Sequence, residues 1–240
     1  MTHLLEADRT ALQVGERIAD GWGGRWYGVS PAVVTDIEDP DGQGNIRVKL
    51  PWAPDSGGGQ GFEAWARMAT LFAGNSRGSW FLPDVGDEVL VAFEHGDPRR
   101  PYILGGLWNG QDSPPASADR QNTKKVLCSR SGVKITLDDT SGREMLKLET
   151  PGGQKITLQD GPGSVTIQDS NGNSVKLETA GITLTASAKV TINAPQVAMS
   201  ASMVTVDAGM SRFSGVVQCD TMIATTVIGT TYTPGAGNIW

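Results

Sequence analysis

Apolar and polar residues alternate along most of this chain, and the spacing of that alternation changes once. Between residues 28 and 110, VSPAVVTDI precedes the turn chemistry of DPDGQG, and IRVKLPW alternates strictly at Ile46, Val48 and Leu50. WARMATLF and DEVLVAF follow, separated by AGNSRG and LPDVG, and PYILGGLW ends the series. Five short strands with Gly-rich turns in about 80 residues predict a small closed barrel of the oligonucleotide/oligosaccharide-binding (OB) type. Closure removes the exposed edges that an open sheet would leave.

From residue 126 the pattern becomes a repeat. Apolar pairs spaced by one residue recur at Val133/Ile135, Leu146/Leu148, Ile156/Leu158, Val165/Ile167, Val175/Leu177, Ile182/Leu184, Val190/Ile192, Val197/Met199 and Val204/Val206. The steps between first members are 13, 10, 9, 10, 7, 8, 7 and 7 residues. Early steps leave room for DDTSG, TPGG, DGPG and DSNGN, whereas later ones hold little more than a strand and a corner. A single-chain solenoid needs about 20 residues or more per coil. Each chain therefore supplies about one side of a prism, and three chains wound together would close it around a dry core. This predicts an all-β chain: an OB barrel followed by an intertwined homotrimeric triple-stranded β-helix. About ten layers at roughly 4.8 Å each give a prism at least on the order of 50 Å long.

Composition changes near residue 112. Six of the seven Trp and both His lie before it, and the join QDSPPASADRQNTKK reads as a linker. A loose periodicity of Leu4, Leu5, Leu12 and Ile18 predicts a short helix within residues 1–20. The domains expected are a segment at 1–27, the barrel at 28–110, the linker at 111–125 and the repeats at 126–240. Net charge is −6; residues 1–120 hold 10 basic against 17 acidic residues, and residues 121–240 hold 10 against 9. Neither half offers the basic surface that a phosphate backbone requires, so nucleic acid is not an expected partner. Cys128 and Cys219 are too few for a disulfide framework and read as two buried thiols. The acidic N-terminus is unlike a signal peptide, and no apolar run approaches the roughly 18–20 residues of a bilayer span. Synthesis and assembly in the cytoplasm are expected.

Candidate chemistry is concentrated in FLPDVGDEVLVAFEHGDPRRPYILGGLWNG. Glu88, Glu94 and Asp97 are the carboxylates a glycan-cleaving enzyme would use, with His95 beside them. No Ser sits in a nucleophile context, and EHGDP spells a turn between two strands, so the charges read as hairpin chemistry. DPDGQGN resembles the start of a calcium loop, but its twelfth position is Leu50 where a bidentate Glu is required. Asp36, Glu38, Asp39 and Asp41 are then a solvated cluster around a turn. GGRW and SGGGQG lack the Lys and helix start of a phosphate cradle and read as loops. Trp52, Trp65, Trp80 and Trp108 lack interleaved Lys and Arg, which favours core packing or protein contacts over base stacking in a single-strand-binding module. No cofactor or metal is expected; His95 in triplicate on a trimer axis has no supporting ligand.

The run VVTDIEDPDGQGNIRVKLPW, followed by WARMATLFAGNSRGSWFLPDVGDEVLVAFEHGDPRRPYILGGLWNG, resembles the barrel of contractile-tail baseplate spike proteins. These include valine–glycine-repeat spikes of type VI secretion and spikes of extracellular contractile injection systems. The repeats from 126 and the ending YTPGAGNIW are similar to the needle of that family. The resemblance implies a structural, non-enzymatic homotrimer in a phage virion or injection particle. Its barrel would rest on a trimeric hub protein, and its tip would carry a PAAR-repeat protein. Sheath contraction would drive it through the target membrane. It implies hub contacts at Trp22, Trp26 and Tyr27 and tip contacts at Tyr232, Ile239 and Trp240. The short linker leaves no room for the lysozyme domain of some relatives, and hub and tip are expected to be separate proteins.

Overall fold

The computed structural model describes residues 24–54 and 60–231. The helix expected within residues 1–20, Trp22, and the candidate tip residues Tyr232, Ile239 and Trp240 lie outside the described residues. Among the described residues all regular structure is strand, apart from one 3-10 turn at Glu94–Gly96.

The first strands are β1 (Val29–Asp36), β2 (Ile46–Pro54) and β3 (Gln60–Met68), followed by a small hairpin of β4 (Ala73–Gly74) and β5 (Arg77–Gly78). Next come β6 (Glu88–Phe93) and β7 (Pro101–Gly106). Five of them close into a barrel in the order β1-β2-β3-β7-β6, with β3 and β7 parallel and the other pairs antiparallel. Alternation in β2 puts Ile46, Val48 and Leu50 fully inside, where they meet Ala32, Val34, Ala66, Val89, Val91 and Ile103. Where WARMATLF suggests the third strand, β3 begins five residues earlier and ends at Met68. Its inward side chains include Ala64 and Ala66 between Phe62 and Met68, and alanines weaken the period-two signal. Gln60 and Gly61 of the presumed SGGGQG loop therefore belong to a strand, while Thr70–Phe72 leave the barrel.

Beyond β7, seven five-residue strands follow: β8 (Lys124–Cys128), β9 (Lys134–Asp138), β10 (Met145–Glu149), β11 (Lys155–Gln159), β12 (Ser164–Gln168), β13 (Ser174–Glu178) and β14 (Gly181–Thr185). Each pairs antiparallel with the next, so this stretch is one meander paired with itself. The connections fall on the expected DDTSG, TPGG, DGPG and DSNGN. Asp169 shows how one of them works. Its carboxylate accepts the backbone N–H groups of Asn171 and Asn173, both at 2.8 Å, and the Asn173 side-chain amide at 2.6 Å. The loop is thereby closed by side-chain capping of its own amides.

The chain divides into two compact units between Ala188 and Lys189. The pairs Val190/Ile192, Val197/Met199 and Val204/Val206 belong to the second, and its described residues form no strand ladder within one chain. Their seven-residue steps carry none of the Asn-Gly or Gly-Gly corners that a tight hairpin needs. The two cysteines are exposed in the single chain, contrary to the expectation of buried thiols. Cys128 ends β8 on the polar face, opposite Leu127, and Cys219 lies in the segment without strands.

Candidate trimerisation face

Because side chains alternate across a strand, register decides which residues share a face. Across β8–β14 the pairing aligns two columns. One runs Leu127, Ile135, Leu148, Ile156, Ile167, Val175, Leu184, and the other Leu137, Leu146, Leu158, Val165, Leu177, Ile182. Every position is Leu, Ile or Val, and exposure of those left open ranges from 36% at Leu148 to 75% at Ile182. The pair in β9 is Ile135/Leu137, one step along from the Val133/Ile135 suggested by spacing. Val133 instead closes the preceding hairpin, since its carbonyl accepts the Ser129 N–H at 2.9 Å. Lys125 faces Leu137 and heads the second column, so the apolar face starts with a charge at its barrel end.

The opposite face is polar. Its central row runs Val126, Thr136, Lys147, Thr157, Thr166, Lys176, Thr183. Beside it, Glu149 stands between Lys134 and Lys155 on the neighbouring strands, and Lys147 Nζ reaches its carboxylate at 2.7 Å. The hydrogen bond from Lys147, helped by the charges of Lys147, Lys134 and Lys155, holds Glu149 below the usual carboxylate range. Asp138 is lowered too, chiefly by the Thr140 hydroxyl that donates to it. Opposite charges in register favour this pairing over a slipped one. One face of the meander is thus finished for water, and the other lacks a cover.

The carboxylates of the barrel are occupied otherwise. Glu88 opens β6, whereas Glu94 lies beyond its end and opens the 3-10 turn. The whole of β6, Glu88–Phe93, lies between them, about 17 Å at strand rise, well beyond the spacing of a glycosidase pair. Glu88 accepts the Asn109 amide at 3.1 Å, and Glu94 pairs with Arg100 at 3.2 Å. Asp97 binds Arg99 through both oxygens, at 3.0 and 2.8 Å, and the Arg99 hydrogen bonds bring its pKa down to about 2. His95 sits in the turn with φ of 50°, and its carbonyl accepts Arg25 Nη1 at 2.7 Å. In DPDGQGN, the Asp39 carboxylate is filled by N–H groups of Asp41, Gln43 and Asn45 at 3.1, 2.7 and 3.0 Å. Those bonds, led by that of Asn45, lower its pKa.

Of the candidate hub residues, Trp26 packs over one end of the barrel, its ring 5.1 Å from Trp52, 5.5 Å from Phe62 and 5.2 Å from Phe93. Tyr27 beside it is exposed. Trp52, Trp80 and Trp108 lie largely on the surface rather than in the aliphatic core.

Residues 30–108 match the family described as the type VI secretion system/phage-baseplate injector OB domain. Residues 145–210 match the phage baseplate V C-terminal trimerisation domain, which takes in β10–β14 and part of the segment beyond. With both domains in this order, the chain belongs to the phage-baseplate and type VI, VgrG-like spike proteins.

Among curated relatives, the actin cross-linking toxin VgrG1 of Vibrio cholerae is 29% identical over 50% of this chain and 12% of its own length. The type VI secretion system spike protein VgrG1b of Pseudomonas aeruginosa is 28% identical over 50% of this chain and 17% of its own. Spike protein VgrG3 of Vibrio cholerae is 31% identical over 45% of this chain and 11% of its own. The chain therefore matches only about a tenth to a fifth of these relatives' length.

Proposed function

We propose that this chain is the subunit of a homotrimeric central spike in a contractile injection machine, a phage tail or a related secretion particle. The observation that carries the reading is the two-column apolar face of β8–β14, within and beside the matched trimerisation domain. Three such faces turned inward make a closed, dry prism whose outer faces are the Thr and Lys rows. Each apolar side chain moved from half exposed to buried contributes on the order of 1 kcal/mol. Summed over two columns and three chains, this is large enough to hold the assembly against loss of chain freedom.

The function is mechanical rather than catalytic. The barrel end would rest on a trimeric hub, with Trp22, Trp26 and Tyr27 near that contact. The needle end would carry a PAAR-repeat tip protein against Tyr232, Ile239 and Trp240. Sheath contraction would then push the rod through the target membrane. Among the described residues no helix is long and apolar enough to cross a membrane. Resistance to force is a matter of unfolding rate, and a prism of three chains unfolds only by breaking contacts to two neighbours.

The test is the mass of the native particle in solution. About 76 kDa, three times 25.3 kDa, is expected, and a stable monomer would sink the proposal.

A further inference from the structure

The barrel carries a second incomplete surface, remote in composition from the apolar face. A groove of about 760 Å³ opens between the β1–β2 turn at Gly42–Asn45 and the β4–β5 hairpin. Phe72, Trp80 and Phe81 wall it with exposures of 58%, 71% and 69%. The wall is built, not incidental. The Trp80 ring lies over Gly44, where φ is 77° and an added Cβ would come within 2.7 Å of the indole. The Thr70 hydroxyl donates to the Ser79 carbonyl at 2.6 Å, and the Ser79 N–H donates to Phe72 O at 3.1 Å.

Arg67 and Arg77 line the groove and no carboxylate does. Neither arginine makes an ion pair among the described residues, and Arg67 stacks over the Tyr102 ring at 5.8 Å. The same barrel presents the complement in DIEDPD. Glu38 and Asp41 are also without ion pairs among the described residues, and Ile37 stands between acids with 37% exposure.

We propose that the groove of each barrel receives the Asp36–Asp41 turn of the neighbouring copy of this chain. Ile37 and Pro40 would lie on the aromatic wall, and Glu38 and Asp41 would face Arg77, whose guanidinium lies against Gly74 in the groove. This rests on the trimer reading above. A cyclic trimer joins complementary patches of each subunit head to tail, and the basic apolar groove and the acidic apolar turn adjoin along the β1–β2 connection, so the contact would form close to the threefold axis. Exposed ion pairs are individually weak, because water and salt screen them. The barrels are tethered to one needle, however, so their effective concentration is on the order of millimolar and weak contacts suffice.

The test uses the full chain with Cys128→Ser and Cys219→Ser, into which Glu38→Cys and Arg77→Cys are introduced together. Mild oxidation is followed by native mass measurement and denaturing electrophoresis without reductant. Head-to-tail contact predicts a particle of about 76 kDa in which most chains are covalently joined as trimers. In a particle that stays trimeric, links confined to dimers, links within one chain, or no links would each overturn the contact. A monomeric particle would overturn the trimer reading itself. A second arm titrates the unmutated trimer with a polyglutamate peptide and with a ten-residue oligothymidine. Neither is expected to bind in an Arg77-dependent way, because the groove is filled; binding that Arg77→Glu lowers tenfold would show an open groove meant for another occupant.

Discussion

Leu148 of β10 stands directly opposite Ile156 of β11, and in the single chain both keep more than a third of their surface exposed, 36% and 37%. Paired residues at the centre of a sheet are normally covered, so this pair measures what the isolated chain lacks. A charge at either position would be buried without a partner once three faces meet, at a cost of several kcal/mol in each of three copies. Leu148→Asp is therefore expected to abolish the trimer. Thr157→Asp, next in sequence to Ile156 but on the outward row, is expected to leave it intact. Native mass of the two variants checks the pair, and equal behaviour would place the apolar face outward.

Gly44 and Trp80 form a second testable unit. Gly44→Ala adds a Cβ in a backbone region that disfavours it and into the space of the indole. A loss of about 1–3 kcal/mol in barrel stability is expected from the two effects together. Trp80→Ala in the same chain should return part of that loss, because only the steric component depends on the ring. Denaturant unfolding of both single variants and the double variant measures the coupling; strict additivity would show that the ring does not rest on Gly44.

Acid should weaken the fold in a defined window. Asp97, Asp39, Asp138, Asp169 and Glu149 all have lowered pKa values in the folded chain. Groups lowered by folding contribute stability that is fully present above their unfolded values, 3.8 for Asp and 4.5 for Glu. That contribution is lost as pH falls through the folded values, which for Asp97 means down to about 2. Melting temperature should be level above about pH 5 and should fall steadily between pH 4 and pH 2. Asp97→Asn should flatten part of that fall, and a profile indistinguishable from the parent's would remove Asp97 from the account.

The ion pair between Arg130 in the β8–β9 turn and Asp84 in the barrel loop, at 3.0 Å, has side chains 83% and 44% exposed. Such a pair is screened and contributes about 0–1 kcal/mol. Asp84→Ala should shift the melting temperature by no more than a degree or two and leave the mass unchanged. A larger loss would make this contact a structural joint between barrel and meander.

Much of this architecture was legible in sequence because its signals are local. Strict alternation in Ile46, Val48 and Leu50 marked a barrel strand, and DSNGN marked a hairpin before any pairing was known. Where the signal was diluted, the reading slipped. Alanines at 64 and 66 hid the true extent of β3, and three alternating apolar residues at 133, 135 and 137 let spacing favour Val133/Ile135 where register pairs Ile135/Leu137. The carboxylates of the EHGDP region looked like a cluster because sequence distance is short. The strand β6 holds Glu88 and Glu94 at its two ends, where they meet different partners, Asn109 and Arg100.

Taken alone, the sequence determined the element types, the change from barrel to repeat, and the presence of more apolar surface than one chain can cover. Periodicity and turn chemistry act within a few residues, so they survive without a fold. The tertiary structure decided register, and with it which of Val133 and Leu137 joins the column and which carboxylates meet a cation. It also decided that residues 124–185 pair with themselves while the later repeats form no ladder in one chain. Those outcomes depend on hydrogen bonds between strands, and on Gly44 and Trp80 meeting across 36 positions, which no local pattern encodes.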